Sequence, residues 1–415
     1  MYAMLRAAHP DSAISRRRFQ GALLGAAACA VGAPRLVRAA TGGPLVVWFT
    51  VEGAKAMRRI GERFSADTGV EVVVETPDEG PAKFQQASGG GKGPDLYIYA
   101  HDRIGEWIAG GLIHAVQPSR RLLDDIDPLA WRGFTSRGRL WGYPYAIEAV
   151  TLIYNKALVS EPPRSFDEVF ALDAKLRPQG RRAILWDYTN NYFSWPLMAA
   201  HGGYAFRQRG DGSYDARDVG VANAGALVGA QLLDRLVREG LMPAGSGYPE
   251  MEAAMGQGRV AMMINGPWAW VNLQRVGIDF GVARIPAVVG KPAVPYVGIK
   301  GVLVNRATKQ RELATEFVEN YLLAPDGLRA IDRAEPIGAP ASRAYYQELA
   351  GNPLKGDKVA GIMASARDGV PTPSIPEMGR FWAAMKSSLT NLTEGRQSPQ
   401  QALEAAARRL RGASA

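Results

Sequence analysis

Strand and helix signals alternate along this 415-residue chain, and that alternation predicts an α/β fold with a parallel, doubly wound sheet in its first half. Two further observations shape the expectation. Beyond its first 40 residues the chain is longer than one hydrophobic core comfortably holds, which suggests two domains. No low-complexity linker and no internal repeat separates them, so two lobes that share the chain by crossing back and forth account for it best.

The leader comes first. Ser15-Arg16-Arg17-Arg18-Phe19 precedes an Ala-rich apolar run over 21–33, and Val37-Arg38-Ala39-Ala40 follows. A charged stretch, an apolar stretch and a small-residue cleavage site make residues 1–40 a signal peptide. The paired arginines read as a twin-arginine export signal, which places the mature chain in the periplasm. The apolar run is shorter than the about 20 residues a membrane-spanning helix needs. Cleavage after Ala39 or Ala40 removes Cys29, the one cysteine, so the mature chain has neither disulfide nor thiol. Lipid attachment at Cys29 is the alternative, although Ala26 stands where such a site carries a bulky residue. The leader holds Arg6, Arg16, Arg17, Arg18, Arg35 and Arg38 against Asp11, which is +5 of the net +9 and leaves +4 for the rest. So weak an excess, without a Lys/Arg block outside the leader, gives no support for a nucleic-acid partner.

Residues 44–49 read as a buried strand, 54–64 as a helix, 69–75 as a second strand and 84–88 as a helix. A glycine-rich turn at 89–93 precedes a third strand at 96–99. Residues 146–154 read as one more strand, and later strands fall at 182–186, 259–264, 280–285 and 298–304. Helical spacing marks 221–239 and 251–257, then 311–322, 324–332, 342–350, 355–368, 377–393 and 399–411.

Chemistry gathers at strand ends. Tyr99, Ala100, His101, Asp102 and Arg103 follow the third strand, where open α/β sheets bind ligands. A salt-bridged loop is the structural alternative. Several of the nine tryptophans also stand where an element opens: Trp48, Trp186, Trp268 and Trp382. A flat ring matches the C–H face of a sugar, and charged side chains at the rim suit hydroxyls that donate and accept. Core packing competes for each tryptophan taken singly. His101, His114 and His201 show no metal-ligand spacing, so neither metal nor cofactor is expected, and a structural hydrogen bond is the better reading of His101. Gly89-Gly90-Gly91-Lys92-Gly93 lacks the Gly-Lys-Ser/Thr ending of a phosphate loop and reads as a turn.

The chain resembles the periplasmic maltose/maltodextrin-binding proteins, carbohydrate receptors of ABC importers. Leu45-Val46-Val47-Trp48, Ala100-His101-Asp102-Arg103, Tyr143-Pro144 with Glu148, and Leu152-Ile153-Tyr154-Asn155-Lys156 carry the resemblance. So do Tyr192-Phe193-Ser194-Trp195-Pro196, Ile264-Asn265-Gly266-Pro267-Trp268-Ala269-Trp270 and Phe381-Trp382. It implies a two-lobe periplasmic-binding-protein fold, each lobe a mainly parallel sheet flanked by helices, with three hinge crossings. The N-terminal lobe would take 41–147 and 298–347, and the C-terminal lobe 148–297 and 348–415. It implies polar sugar contacts from Asp102, Arg103 and Glu148, a backbone contact from Ala100, and stacking by Trp268 and Trp382. Tyr192 and Phe193 would line the same cleft, with Tyr99 at a tryptophan position of the family. Thr50 and Glu52 would stand where an asparagine and an aspartate hold the reducing-end glucose.

Departures bear on specificity. No lysine follows Glu52, Asn190 replaces a glutamate, Pro81-Ala82 replace two glutamates, Ala383 a tyrosine and Lys386 an arginine. Lysine lacks the planar bidentate fork of arginine. Most losses fall where longer chains would extend, so a gluco-disaccharide (maltose, a short maltodextrin or trehalose) is expected, with ABC permease subunits as partners and a monomeric receptor closing over its ligand. The rival reading is a glycoside-processing enzyme using Asp102 and Glu148 as its carboxylate pair. Arg103 directly after Asp102 argues against it, favouring a permanent charge over an acid.

Overall fold

The computed structural model describes residues 43–412 apart from Ala244; the leader over 1–40, with Cys29, lies outside them. The main strands, in chain order, are β1 (Leu45–Trp48), β2 (Val72–Glu75), β3 (Leu96–Ala100), β4 (Tyr143–Ala149), β5 (Thr151–Asn155), β6 (Arg182–Leu185), β7 (Val260–Asn265), β8 (Phe280–Ala283), β9 (Tyr296–Val304), β10 (Ala339–Pro340) and β11 (Val370–Pro371). They form two sheets, one per lobe. The first has the order β10-β4-β9-β3-β1-β2 with β11 beside β9, and the second β8-β5-β7-β6.

Strands β1, β2 and β3 pair in parallel, as the βαβαβ order predicts. Elsewhere the pairing is mixed, against the expectation of mainly parallel sheets: β9 is antiparallel to β3 and β4, and β5 to β7 and β8. The reason is where the strands come from. A helix crossover within one sheet fixes parallel direction, whereas β5 and β9 enter from the opposite lobe without one. The segment 146–154, read as one strand, is two. Val150 separates β4 from β5, and the two belong to different sheets. This is the first crossing. The second runs between β8 and β9, and the third follows β10. Along the third, the helix Gly356–Asp368 packs on both β8 and β4. Its Ser365 hydroxyl donates to the Val150 carbonyl at 2.8 Å. A Cβ on Gly361 would come within 2.7 Å of the Val282 carbonyl, so glycine sets how closely this helix approaches β8.

The helix read as 54–64 begins earlier, at Val51, and ends at Thr68. The Thr50 hydroxyl caps it, accepting from the Gly53 amide at 3.1 Å. Two of the strand-end tryptophans are core residues. Trp48 is buried and its indole donates to Glu75 at 2.6 Å; buried Trp186 donates to the Ser194 hydroxyl at 2.9 Å. Each finds its polar partner within its own lobe, so packing overrides the cleft reading for both.

His101 is fully enclosed. Its Nδ1 accepts from the Ile299 amide at 3.1 Å, which leaves Nε2 to donate to the Thr372 carbonyl at 2.9 Å. One neutral ring thus ties β9 to the segment after β11. Burial pushes the imidazole below its ordinary value, against the pull of Asp102. Below about pH 6.5 the unfolded chain takes up a proton that the folded ring refuses, so stability falls as pH drops through that range. Urea midpoints for wild type should therefore fall more steeply between about pH 7.5 and 5.5 than those of His101→Asn; parallel curves would show that His101 does not carry the effect.

Candidate ligand cleft

A cavity of about 530 Å³ opens between the lobes. Tyr99, Ala100 and Asp102 reach it from the end of β3 and the turn His101–Arg103, and Glu148 from β4. The opposite side holds Asn190, Tyr192, Trp268, Trp382 and Lys386. These nine of the thirteen sequence-derived ligand residues therefore border one space. Asp187, Thr189, Asn191, Gly298 and Thr372 join them without having been singled out.

Tyr192 is the middle of an aromatic wall, its ring centroid 6.2 Å from Trp268 and 6.4 Å from Trp382. The helix Asn191–Ala199 places it, capped by the Asn190 side chain, which accepts from the Tyr192 amide at 3.1 Å. Trp268 sits in the turn after β7 with its ring folded over Gly266. A Cβ there would lie 2.2 Å from the ring, so only glycine admits this pose. Across the cleft Tyr99 stacks on Tyr97 at 5.4 Å, and Tyr97 on Phe84 at 4.7 Å, so its orientation is fixed from behind. Burial, reinforced by Glu148 and Asp102, pushes the Tyr192 phenol upward, which keeps it neutral and able to donate.

Four expected ligand residues stand elsewhere. Phe193 is buried behind the wall, against Trp268 and Tyr248. Glu52 lies exposed in the first helical turn after Thr50. Arg103 reaches outward to Glu106 at 3.4 Å and makes no ion pair with Asp102. Thr50 donates to Glu335 at 2.6 Å. That last contact leads back to the cleft. Glu335 lies 2.9 Å from the Lys300 ammonium, which is 3.0 Å from Glu148. Burial would push Lys300 down, but Glu148, Tyr145 and Glu335 together hold it well above its ordinary value. Neither Lys300 nor Glu335 had drawn notice, because each is far in sequence from the other and from Glu148. Asp102 Oδ1 and both amide atoms of Asn191 are buried with no hydrogen-bond partner.

Among the described residues, no group of three His, Cys, Asp or Glu side chains is arranged to hold a metal ion, and no helix is long and apolar enough to cross a membrane.

Two lobes joined by three crossings, with a cleft lined from both, define a receptor for a dissolved ligand, and the chain belongs to the family of bacterial extracellular solute-binding proteins, whose model matches residues 50–327. Among its relatives, the galactooligosaccharide-binding protein of Bacillus subtilis is 29% identical over 382 residues, covering 89% of each chain. The maltotriose-binding protein of Pyrococcus abyssi is 28% identical over 84% of this chain and 77% of its own. A maltooligosaccharide ABC transporter solute-binding lipoprotein of Streptococcus pneumoniae is 27% identical over 85% of this chain and 84% of its own.

Removing Lys300 leaves buried Glu148 and half-buried Glu335 facing each other. Lys300→Met should cost about 3 kcal/mol at neutral pH, as for other broken buried pairs. The loss should shrink near pH 5, where the stranded carboxyls take up protons. Urea unfolding at the two pH values measures both, and a loss that does not change with pH would mean that lost packing, rather than stranded charge, is responsible.

Proposed function

We propose that this chain is the periplasmic ligand-binding subunit of an ABC sugar importer, and that its cleft takes a gluco-disaccharide or short gluco-oligosaccharide. The observation that carries this is the wall of Tyr192, Trp268 and Trp382 in one cavity with Asp102 and Glu148. An apolar face and ionised acceptors together match a sugar ring, and about 530 Å³ lies within the range of small-molecule sites, about 300–1,000 Å³. The maltooligosaccharide- and maltotriose-binding relatives support the same ligand class.

The sheet of β1–β4 with β9–β11, which carries Glu148, would move as one lobe and the sheet of β5–β8 as the other, so the boundary expected between 147 and 148 shifts to Val150 and that expected before 298 to ahead of Tyr296. A ligand touching both stabilises the closed arrangement by its differential affinity for it, and membrane permease subunits would read that closed, monomeric form. The leader over 1–40 would deliver the chain to the periplasm by twin-arginine export. Asn190, Ala383 and Lys386 favour a disaccharide over long maltodextrins, with maltose and trehalose both admitted. A galacto-oligosaccharide is the second reading, favoured by the Bacillus subtilis relative. Hydrolysis by Asp102 and Glu148 fits poorly. Glu148 already holds the Lys300 ammonium at 3.0 Å, whereas a general acid must point a proton at the leaving group.

Tryptophan fluorescence titration with maltose, maltotriose, trehalose, galactobiose and glucose tests this. A saturable response to one of the oligosaccharides is expected, with the sugar recovered intact. Silence across the panel, repeated by calorimetry, would overturn it. Trp268→Ala and Trp382→Ala should each weaken that binding at least tenfold, about 1.4 kcal/mol, without lowering the unfolding midpoint by a comparable amount. The reverse pattern would make them core residues.

A further inference from the structure

We propose that Asn191, rather than its neighbour Asn190, is the side chain with which the second lobe reads the hydroxyls of a bound ring. The inference rests on the sugar-binding reading above. The two asparagines differ in what their amides do. Asn190 is exposed, and its Oδ1 is engaged as the cap of the helix Asn191–Ala199. Asn191, the first residue of that helix, is only 2% exposed and borders the cavity, yet neither its Nδ2 nor its Oδ1 has a partner. Among the described residues it is the one asparagine whose side chain is left with both atoms unsatisfied.

Buried polar groups are almost always hydrogen-bonded, and an amide stripped of water without compensation is unfavourable. A buried, unsatisfied amide beside a ligand cavity is thus an amide whose partner arrives with the ligand. Asp102, on the other lobe, shows the same signature at Oδ1. The two groups ask for different things. A carboxylate only accepts, so Asp102 selects a hydroxyl that donates. The Asn191 amide donates and accepts at once, and adjacent ring hydroxyls match it, one accepting from Nδ2 while the next donates to Oδ1. The ligand class is therefore a pyranose with a vicinal diol edge, held from both lobes. A ring deoxygenated on that edge leaves one amide atom unsatisfied and loses affinity, because a site built for a hydroxyl rejects the analogue without it.

Calorimetry and thermal melting of wild type, Asn191→Ala, Asn191→Asp and Asn223→Ala decide the matter, with maltose and galactobiose as probes. Asn191→Ala is expected to melt no lower than wild type without sugar, since an unsatisfied amide has become a methyl group. It should bind the sugar at least tenfold more weakly and lose most of the sugar-induced rise in melting temperature. Asn191→Asp, which keeps the shape but not the donor, should also bind weakly. Asn223→Ala, which removes the cap of the helix Ala224–Arg238 outside the cavity, should show the opposite: a lower melting temperature, and affinity within about threefold of wild type. An Asn191→Ala protein that melts lower and binds as wild type does would overturn the assignment and make Asn191 structural. A wild type that binds neither sugar would overturn the sugar reading itself, and this assignment with it.

Discussion

The ammonium of Lys300 is the constraint around which the first lobe's side of the cleft is built. It sits between two carboxylates, Glu148 and Glu335, at 3.0 and 2.9 Å, on the central strand β9. Strand β9 places Lys300 opposite Ala100 of β3 and Ala146 of β4, small residues that leave room for a long side chain over the sheet. Glu335 arrives from the far end of the chain and Thr50 from the start of the first helix. Two residues remote in sequence are thereby pinned to one cation, and a third, Thr50, through Glu335. Taking three charges out of water is unfavourable unless each is paired, so the network specifies where the β1–helix junction and β10 must sit. Glu148 enters the cleft oriented and partnered.

The second lobe answers with different chemistry. Its contribution is aromatic, with Tyr192 between Trp268 and Trp382, and the wall is backed by buried Phe193. Because β5 and β9 each cross from the other lobe, neither sheet is complete without chain supplied through the crossings. Cleft and crossings are mechanically linked by His101, one residue before Asp102, which joins β9 to the third crossing through its two ring nitrogens.

How much of this was legible in the sequence follows from which interactions are local. Strands, most helices and the residues at the ends of β3, β4, β6 and β7 were legible, because alternation of apolar runs and the turn residues after them are short-range signals. Thr50 and Glu52 were misplaced because the helix starts at Val51, ahead of the apolar spacing that reveals it, which turns Thr50 into a cap. Trp48 and Trp186 were ambiguous in principle: an indole at a strand end serves a core or a cleft equally, and only the tertiary partners Glu75 and Ser194 decide. The break at Val150 is invisible locally, since both flanking strands are apolar and no glycine or proline marks the crossing. Lys300 and Glu335 were missed for the same reason that they matter: their partners are assembled by the fold.

These asymmetries decide what kind of molecule the cleft can hold. One side offers acceptors, Glu148 held by Lys300 and Asp102 with an unsatisfied oxygen. The other offers flat apolar faces and an amide that can donate as well as accept. A purely apolar ligand would strand the carboxylates. A cation alone would leave the aromatic wall and the Asn191 amide without matching groups on a small ion. What satisfies every surface at once is a ring with an apolar face and a polyhydroxylated edge. The ion pair that organises the first lobe, Lys300 with Glu148 at 3.0 Å, thus also sets what that side of the cleft presents to a ligand.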